Sequence, residues 1–252
     1  MKYLAAIPMT LAVAAPAAAA PMASDWDWQL SEPLKLRPGV QVYDLDPESV
    51  TPAQIAALKA RGTYTICYVS VGTLEKDCPD FAAFPAAVVG KVYDDWPDEK
   101  FLDIRALDTL LPLMKARFAR CKALGFDAIE PDNIDGYEND SGFALSRADQ
   151  LTYIVRLAAV AHGMGLEIGQ KNVPELTADL LPKLDFVIAE SCWQDHWCQQ
   201  VRPYVKAGKP VFDAEYTDRP IRFEKACQAA ENMGIAMILK DRDLSADRRA
   251  CP

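Results

Sequence analysis

Short apolar runs alternate with amphipathic segments along nearly the whole chain. Eight of these runs read as strands, and most are apolar at consecutive positions, as expected for parallel strands buried on both faces. They cover residues 40–46, 63–72, 101–105, 126–133, 166–172, 186–191, 210–217 and 234–240. The amphipathic segments between them predict helices at 52–61, 106–124, 146–162, 174–181, 197–207 and 221–232. Eight strand–helix units predict an α/β protein with a single (β/α)8 TIM-type barrel.

Turn and cap residues support these boundaries. Thr51 and Pro52 form an N-cap followed by proline at the first helical position, and Gly62 follows the end of the same helix. The stretch 75–100 is too long and too rich in Pro, Asp and aromatic residues for a simple crossover. We therefore expect it to form an excursion over the open end of the barrel.

The N-terminus has a different pattern from the rest of the chain. Lys2 precedes an apolar run that ends in four alanines at 17–20. This pattern predicts a secretory signal peptide over residues 1–23, cleaved between Ala19 and Ala23, and a catalytic barrel domain over 24–252. The run is too short for a permanent membrane anchor, and no cysteine follows it for a lipid anchor. We expect a secreted or periplasmic protein.

Charge narrows the choice of partners. The chain carries 27 basic and 36 acidic residues and a formal net charge of −9, and cleavage would remove one further positive charge at Lys2. Nucleic-acid binding is disfavoured, because it needs a basic face. An acidic cleft would instead concentrate a cationic ligand, although acidity can also serve solubility alone. We expect a monomer.

Seven cysteines in an exported chain predict disulfides. Cys192 and Cys198 bracket a short loop and form the best candidate pair, and Cys227 with Cys251 would tie down the C-terminal tail. Cys67 lies in an apolar strand and is expected to be a buried free thiol. With two histidines and no HxH or CxxC spacing, no metal site is expected.

Polar residues follow nearly every predicted strand, and active sites of TIM barrels lie at the carboxyl ends of the strands. Carboxylates dominate the set, which fits glycoside hydrolysis, a reaction that needs two carboxyl groups beside the scissile bond. For the stretch 125–137, which carries Glu130, Asp132 and Asp135, the alternative is an acidic loop that only caps the next helix. The candidate catalytic and substrate-binding residues are Tyr43, Asp44, Glu75, Asp103, Arg105, Glu130, Asp132, Asn133, Asp135, Tyr137, Lys171, Asn172, Glu190, Trp193, Glu215 and Tyr216.

Strand geometry selects one catalytic carboxylate. Residues two apart on a strand share a face, so Glu130 and Asp132 point into the barrel and Pro131 points away. Asp132 is nearer the open end and can reach a substrate. Glu130 lies deeper and is expected to orient its neighbours.

The second carboxylate should come from another strand around the barrel mouth. Glu190 ends the sixth predicted strand and is the preferred partner of Asp132. Glu215 is its competitor, but it could instead pair with Lys171 or Lys240 and only neutralise the site.

Aromatic residues near the strand ends are candidates for stacking on sugar rings, although core packing is the more common use of any single one. Tyr137, Trp193 and Tyr216 are the best placed, because they directly follow strand ends. The other aromatics of this kind are Trp26, Trp28, Tyr43, Tyr68, Trp96 and Trp197.

Several motifs in register resemble one known family. They are the stretches at 25–30 (DWDWQL), 42–46 (VYDLD), 66–72 (ICYVSVG), 101–105 (FLDIR), 125–137 (GFDAIEPDNIDGY), 170–172 (QKN), 190–192 (ESC) and 215–216 (EY). From about Trp26 to Lys240 the chain resembles glycoside hydrolase family 114, the endo-α-1,4-polygalactosaminidases. The resemblance implies a TIM-type barrel without metal or organic cofactor that acts on α-1,4-linked galactosamine polymers. It places the catalytic carboxylates at Asp132 and Glu190.

These expectations combine into one hypothesis. The chain would be a secreted endo-acting hydrolase with Asp132 as nucleophile or stabiliser and Glu190 as general acid/base, the latter with a raised pKa. Its substrate would be a cationic amino-sugar polymer, which fits the acidic balance. Ala189 and Ser191 replace residues usual beside this Glu, and the Trp-Arg usual after Glu75 is missing. A non-catalytic carbohydrate-binding barrel is therefore the alternative, whereas a metal-dependent phosphodiesterase on the same fold lacks histidine ligands.

Overall fold

A computed structural model describes residues 19–22, 25–94 and 96–252 of the chain. Residues 1–18, 23, 24 and 95 lie outside the described residues, so most of the signal peptide predicted at 1–23 is not described. Within the described ranges, no helix is both long and apolar enough to cross a membrane.

The described residues form twelve strands and six α-helices. The strands are β1 (Trp26–Gln29), β2 (Val42–Leu45), β3 (Tyr64–Ser70), β4 (Thr73–Glu75), β5 (Val89–Tyr93), β6 (Trp96–Leu102), β7 (Ala128–Asp132), β8 (Glu167–Lys171), β9 (Phe186–Glu190), β10 (Val211–Tyr216), β11 (Ala236–Lys240) and β12 (Arg248–Ala250). The helices are α1 (Pro52–Lys59), α2 (Leu107–Leu124), α3 (Arg147–Gly163), α4 (Thr177–Leu180), α5 (Cys198–Lys206) and α6 (Phe223–Met233).

Eight parallel strands form the barrel, in the order β1-β2-β3-β7-β8-β9-β10-β11, and β12 adds to β11 in the antiparallel direction. The seam between β11 and β1 is bridged by the Trp26 indole N–H, which donates to the Ala236 carbonyl at 3.0 Å. A second, three-stranded antiparallel sheet has the order β4-β6-β5. This architecture confirms the predicted TIM-type barrel of the α/β class.

Seven of the eight predicted strands lie in the barrel, and the assignment of 101–105 is wrong. Phe101 and Leu102 end β6 of the small sheet, and no strand covers residues 103–105. The barrel strand that the sequence prediction lacks is β1. In β1, Trp alternates with Asp27 and Gln29, and this pattern does not indicate a strand buried on both faces. Both polar side chains are buried and satisfied, because Asp27 pairs with Arg37 at 3.0 Å and Gln29 bonds the backbone of Lys35.

Local sequence explains several helix starts. Thr51 and Gln54 form a reciprocal capping box at α1, with Pro52 at the first helical position. The predicted helix at 174–181 is a 3₁₀ turn, Pro174–Leu176, followed by the one-turn helix α4. The other predicted helices agree with α2, α3, α5 and α6 within two residues at each end.

Large apolar side chains fill the lower barrel interior. Trp26 stacks on Trp28 with ring centroids 6.2 Å apart and packs against Phe212 at 5.4 Å, and all three are buried. A second buried cluster lies between the sheet and the helices. The apolar interior supports a layer of polar side chains at the carboxyl ends of the strands.

Three disulfides join Cys67 to Cys121, Cys192 to Cys198, and Cys227 to Cys251. The last two pairs confirm the predicted disulfides Cys192–Cys198 and Cys227–Cys251. The expectation that Cys67 is a free thiol is wrong. Cys67 is buried with Cys121 in the cluster between sheet and helices. Cys78, which is partly buried, is the cysteine without a disulfide.

Candidate active site

A cleft of about 1250 Å³ opens at the carboxyl ends of the barrel strands. Twelve acidic residues and five basic residues line it, so its walls are strongly acidic. The predicted site residues that line it are Glu75, Asp132, Asn133, Asp135, Lys171, Asn172, Glu190 and Tyr216. They come from four barrel strands (β7, β8, β9 and β10) or the turns that directly follow them, and from β4 of the small sheet.

Lys171, the last residue of β8, occupies the centre of the cleft floor. Its Nζ lies 2.9 Å from Glu130 Oε1, 2.7 Å from Asp132 Oδ1 and 3.3 Å from Glu190 Oε2. It also lies 4.6 Å from the centroid of the Trp28 ring, and the side chain is 3% exposed. Burial alone would lower the pKa of Lys171, but the three carboxylates together raise it well above its usual value.

Glu190 accepts hydrogen bonds from several donors. Asn172 Nδ2 donates to Oε2 at 3.0 Å, and the Tyr216 hydroxyl donates to Oε1 at 2.5 Å. The Glu190 backbone N–H donates to Asn172 Oδ1 at 2.8 Å, which fixes the amide orientation. Burial raises the pKa of Glu190, but Lys171 and these hydrogen bonds outweigh burial and leave it lowered. The expected raised pKa of Glu190 is therefore wrong.

Glu130 and Asp132 both contact Lys171 and so share the inner face of β7. Asp132 is 20% exposed and faces the cleft, whereas Glu130 is fully buried beneath it. Asp44 of β2 is fully buried next to Glu130. Burial and the Glu130 charge raise the pKa of Asp44 well above its usual value, and burial also raises that of Glu130.

A hydrogen-bond network surrounds Asn133, which follows β7 with a φ of 60°. Asparagine tolerates this left-handed conformation better than most residues. Its Nδ2 donates to Ser70 Oγ and Thr73 Oγ1 at 3.0 Å and to Glu99 Oε2 at 3.2 Å. Gly72 is required here, because a Cβ at this position would lie 1.6 Å from the Asn133 carbonyl oxygen.

Glu75 and Glu99 are opposite each other in the small sheet and both line the cleft. The Tyr68 hydroxyl donates to Glu75 Oε1 at 3.2 Å. Burial and the Glu99 charge raise the pKa of Glu75 to about 7. Glu99 was missed by sequence reasoning, because only the pairing of β4 with β6 reveals that it faces the site. Tyr68 was noted only as a possible sugar-stacking aromatic.

Several predicted site residues are not among those lining the cleft. The Tyr43 hydroxyl accepts from the Arg37 backbone N–H at 2.6 Å. Asp103 and Arg105 pair with each other at 2.7 Å. The Tyr137 hydroxyl bonds to Glu175.

Glu215 supports the loop that follows β9. Its carboxylate accepts from the backbone N–H groups of Trp193 at 2.6 Å and Gln194 at 3.0 Å. The alternative pairing with Lys171 or Lys240 is wrong: Lys171 contacts the three carboxylates above, and Lys240 pairs with Asp27 at 3.2 Å. Neither Trp193 nor Glu215 lines the cleft.

One group of side chains has the spacing of a metal site among the described residues. It comprises Cys192, Cys198 and Asp213. The two sulfurs are joined in a disulfide, so they are not thiolate ligands in this state.

Comparison with known proteins identifies the family. The sequence model of glycoside-hydrolase family GH114 matches residues 8–252. The crystal structure of Aspergillus fumigatus Ega3 in complex with galactosamine is 29% identical, with a TM-score of 0.86 over 92% of this chain and 96% of that one. The glycoside hydrolase domain of PelA from Pseudomonas aeruginosa is 16% identical, with a TM-score of 0.67 over 90% of this chain and 98% of that one, which shows a shared fold. An uncharacterized protein of Deinococcus radiodurans is 26% identical over 81% of this chain and 72% of its own length. This chain therefore belongs to glycoside hydrolase family GH114 and is a glycoside hydrolase.

Proposed function

We propose that the protein is a secreted endo-hydrolase of α-1,4-linked, galactosamine-containing polysaccharide, with Asp132 and Glu190 as its catalytic pair. One observation carries the proposal: both carboxylates reach the floor of an open acidic cleft, where they contact the same ammonium group of Lys171. Such a pair of carboxyl groups is what glycoside hydrolysis requires.

The separation of the two carboxylates favours retention of anomeric configuration. Asp132 Oδ1 and Glu190 Oε2 lie 2.7 Å and 3.3 Å from Lys171 Nζ. They are therefore at most about 6 Å apart, less than the roughly 6.5–9.5 Å that leaves room for water in inverting enzymes. We propose a covalent glycosyl-enzyme intermediate, formed when one carboxylate attacks the anomeric carbon while the other carboxyl group protonates the leaving oxygen.

We assign the nucleophile to Asp132 and the acid/base to Glu190. Both carboxylates line the cleft, with side-chain exposures of 20% for Asp132 and 27% for Glu190, so exposure does not separate their roles. The assignment rests on Tyr216, whose hydroxyl lies beside Glu190 and can exchange a proton with it. The lowered pKa of Glu190 favours the reverse assignment, in which Glu190 is the nucleophile. An activated substrate with a good leaving group separates the two, because it restores glycosylation when the acid is missing but not when the nucleophile is missing.

The substrate class is supported by charge and by similarity. A cleft lined by twelve acidic residues attracts a cationic polymer, and deacetylated galactosamine polymers are cationic. The similar Aspergillus protein was crystallised with galactosamine. Secretion is supported by the N-terminal sequence pattern and by three disulfides, which persist in oxidising compartments.

The proposal is tested by incubating the purified protein with galactosamine, N-acetylgalactosamine and mixed polymers, followed by product analysis by mass. We expect oligosaccharides of mixed length from the galactosamine-containing polymers. Asp132→Asn and Glu190→Gln should fold normally and lose hydrolysis. The control Asp179→Asn, which removes an exposed carboxylate, should fold normally and keep hydrolysis. Binding of oligosaccharides without release of reducing ends, even at high protein concentration, would instead establish a non-catalytic carbohydrate-binding barrel.

A further inference from the structure

A pair of carboxyl groups lies under the cleft floor, where the proposed mechanism does not use it. Asp44 and Glu130 are both fully buried. Glu130 Oε1 accepts a hydrogen bond from Lys171 at 2.9 Å. Neither oxygen of Asp44, nor Oε2 of Glu130, has an N–H or hydroxyl donor within the described part of the chain.

These unpartnered oxygens are explained by one shared proton. The two carboxyl groups lie next to each other, and a hydrogen bond between them requires a proton, because two ionised carboxylates have no hydrogen to share. Full ionisation of Asp44, Glu130, Asp132 and Glu190 would also surround the single Lys171 ammonium with four negative charges. In a buried site such an imbalance is strongly unfavourable, and binding of a proton relieves it.

We propose that Asp44 stays protonated at neutral pH and donates its hydrogen to Glu130, so that the pair carries one negative charge and holds Lys171 in place beneath Asp132 and Glu190. Asp44 lines no part of the cleft and acts through Glu130 and Lys171, which makes it a positioning residue. Its protonation stands on the geometry of the buried cluster, whereas its influence on turnover rests on the proposed function.

The charged groups around Asp44 determine how ionisation of Asp44 would affect the position of the Lys171 ammonium group. Glu130 and Asp132 face it from β7 and Lys171 from β8, and the Tyr68 hydroxyl of β3 lies near the two β7 carboxylates. Glu190 lies beyond Lys171. Ionised Asp44 would add a second negative charge below Lys171. The ammonium would then be drawn toward Asp44 and Glu130 and away from the carboxylates of the cleft.

The first test measures unfolding, without substrate, for wild type and Asp44→Asn from pH 4 to pH 9 with the disulfides kept oxidised. The asparagine keeps the shape of the side chain and a donor for Glu130. A protonated Asp44 means that folded protein holds a proton that the unfolded chain releases above about pH 4. The unfolding constant of wild type relative to the variant should therefore rise with pH, by up to about tenfold per pH unit, until folded Asp44 ionises. A ratio that does not change with pH would overturn the proposal.

The second test is the pH profile of kcat/KM on a galactosamine polymer. Asp44→Asn cannot ionise, so its activity should persist to higher pH than that of wild type. The matched control is Asp213→Asn, because Asp213 is a buried carboxyl beside Glu215 that accepts a hydrogen bond from the Cys192 backbone N–H at 3.2 Å. Among the described residues, the ion pairs of Lys171 are with Glu130, Asp132 and Glu190 and not with Asp213. Its profile should follow wild type. An Asp44→Asn profile that superimposes on wild type would refute the positioning role. Absence of hydrolysis by wild type would refute the proposed function alone, since the unfolding test needs no substrate.

Discussion

Asp132 and Glu190 contact the same ammonium group, because Lys171 lies on the strand between theirs. β7, β8 and β9 are neighbours in the barrel, and all three residues are the last of their strands. Lys171 thus reduces the repulsion between two carboxylates that must lie close together. The same cation also neutralises the deeper Glu130 at 2.9 Å.

Replacing Lys171 with methionine should destabilise the protein and abolish activity. The variant leaves Glu130, Asp132 and Glu190 without their cation, and removing one partner of a buried ion pair typically lowers the free energy of unfolding by about 3–5 kcal/mol. We expect kcat to fall by at least about a hundredfold, through loss of charge stabilisation at the site. Denaturant unfolding and turnover on polymer measure the two effects.

Lys240→Met is the matched control for this prediction. Lys240 is equally buried and pairs with Asp27 at the barrel seam. Its replacement should lower stability but leave the turnover of the folded protein near that of wild type. Near-normal turnover of Lys171→Met would contradict the role given to Lys171.

Replacing Tyr216 with phenylalanine should raise the pKa of Glu190. The Tyr216 hydroxyl stabilises the Glu190 carboxylate through a 2.5 Å hydrogen bond, and loss of a bond to a charged group corresponds to about one pKa unit. The limb of the kcat/KM profile that reports Glu190 should move to higher pH. A shift of the alkaline limb supports Glu190 as the acid, and a shift of the acid limb supports it as the nucleophile.

Tyr64→Phe provides the control, because the Tyr64 hydroxyl also donates to a glutamate, Glu167, at 2.7 Å. Neither residue lines the cleft. This variant should leave both limbs of the profile in place. An unchanged profile for Tyr216→Phe would show that Glu190 does not control either limb.

The fold and the centre of the site were predictable, because both follow from local patterns. Consecutive apolar positions mark strands buried on both faces, and parallel strands bring their carboxyl ends to one edge. The two-residue period placed Glu130 and Asp132 on one face of β7, where both now contact Lys171. The preference for Glu190 followed from its position at the end of a strand.

The errors arose where long-range contacts decide the structure. β1 was missed because its polar residues are satisfied by Arg37 and Lys35, outside the strand itself. Glu99 was missed because its position depends on the register of β4 with β6. The direction of the Glu190 pKa shift was wrong, because Lys171, Asn172 and Tyr216 converge on it from three other segments.

The three disulfides should differ in their effects on stability and activity. Cys67–Cys121 closes 54 residues and Cys192–Cys198 closes 6, so loop entropy predicts losses of about 4 and about 2 kcal/mol when each pair is replaced by alanine. The short loop begins just after Glu190, so removal of Cys192–Cys198 should lower kcat severalfold. Removal of Cys67–Cys121 should leave the kcat of the folded protein unchanged. Unfolding curves measure the loss of stability, and turnover measures the loss of kcat. A larger loss of stability without Cys192–Cys198, or a larger loss of kcat without Cys67–Cys121, would contradict this prediction.

Trp96 should contribute to the binding of long substrates. It is 48% exposed at the start of β6 and lines the cleft. The three aromatics favoured from the sequence are less suited to stacking on a sugar, because the Tyr216 hydroxyl bonds to Glu190 and neither Tyr137 nor Trp193 lines the cleft. Stacking of a sugar on the indole would contribute about 1 kcal/mol, or roughly fivefold in KM. Trp96→Ala should therefore raise KM for long polymers with little change in kcat.

Substrate length separates this role from a general perturbation of the site. Oligosaccharides too short to reach from Asp132 to Trp96 should be cleaved equally by wild type and Trp96→Ala. Phe81→Ala is the control, because Phe81 is 41% exposed on the same excursion but does not line the cleft. Kinetics on a series of chain lengths would show a KM ratio that grows with length only for Trp96→Ala. A ratio independent of length would mean that Trp96 does not bind the polymer.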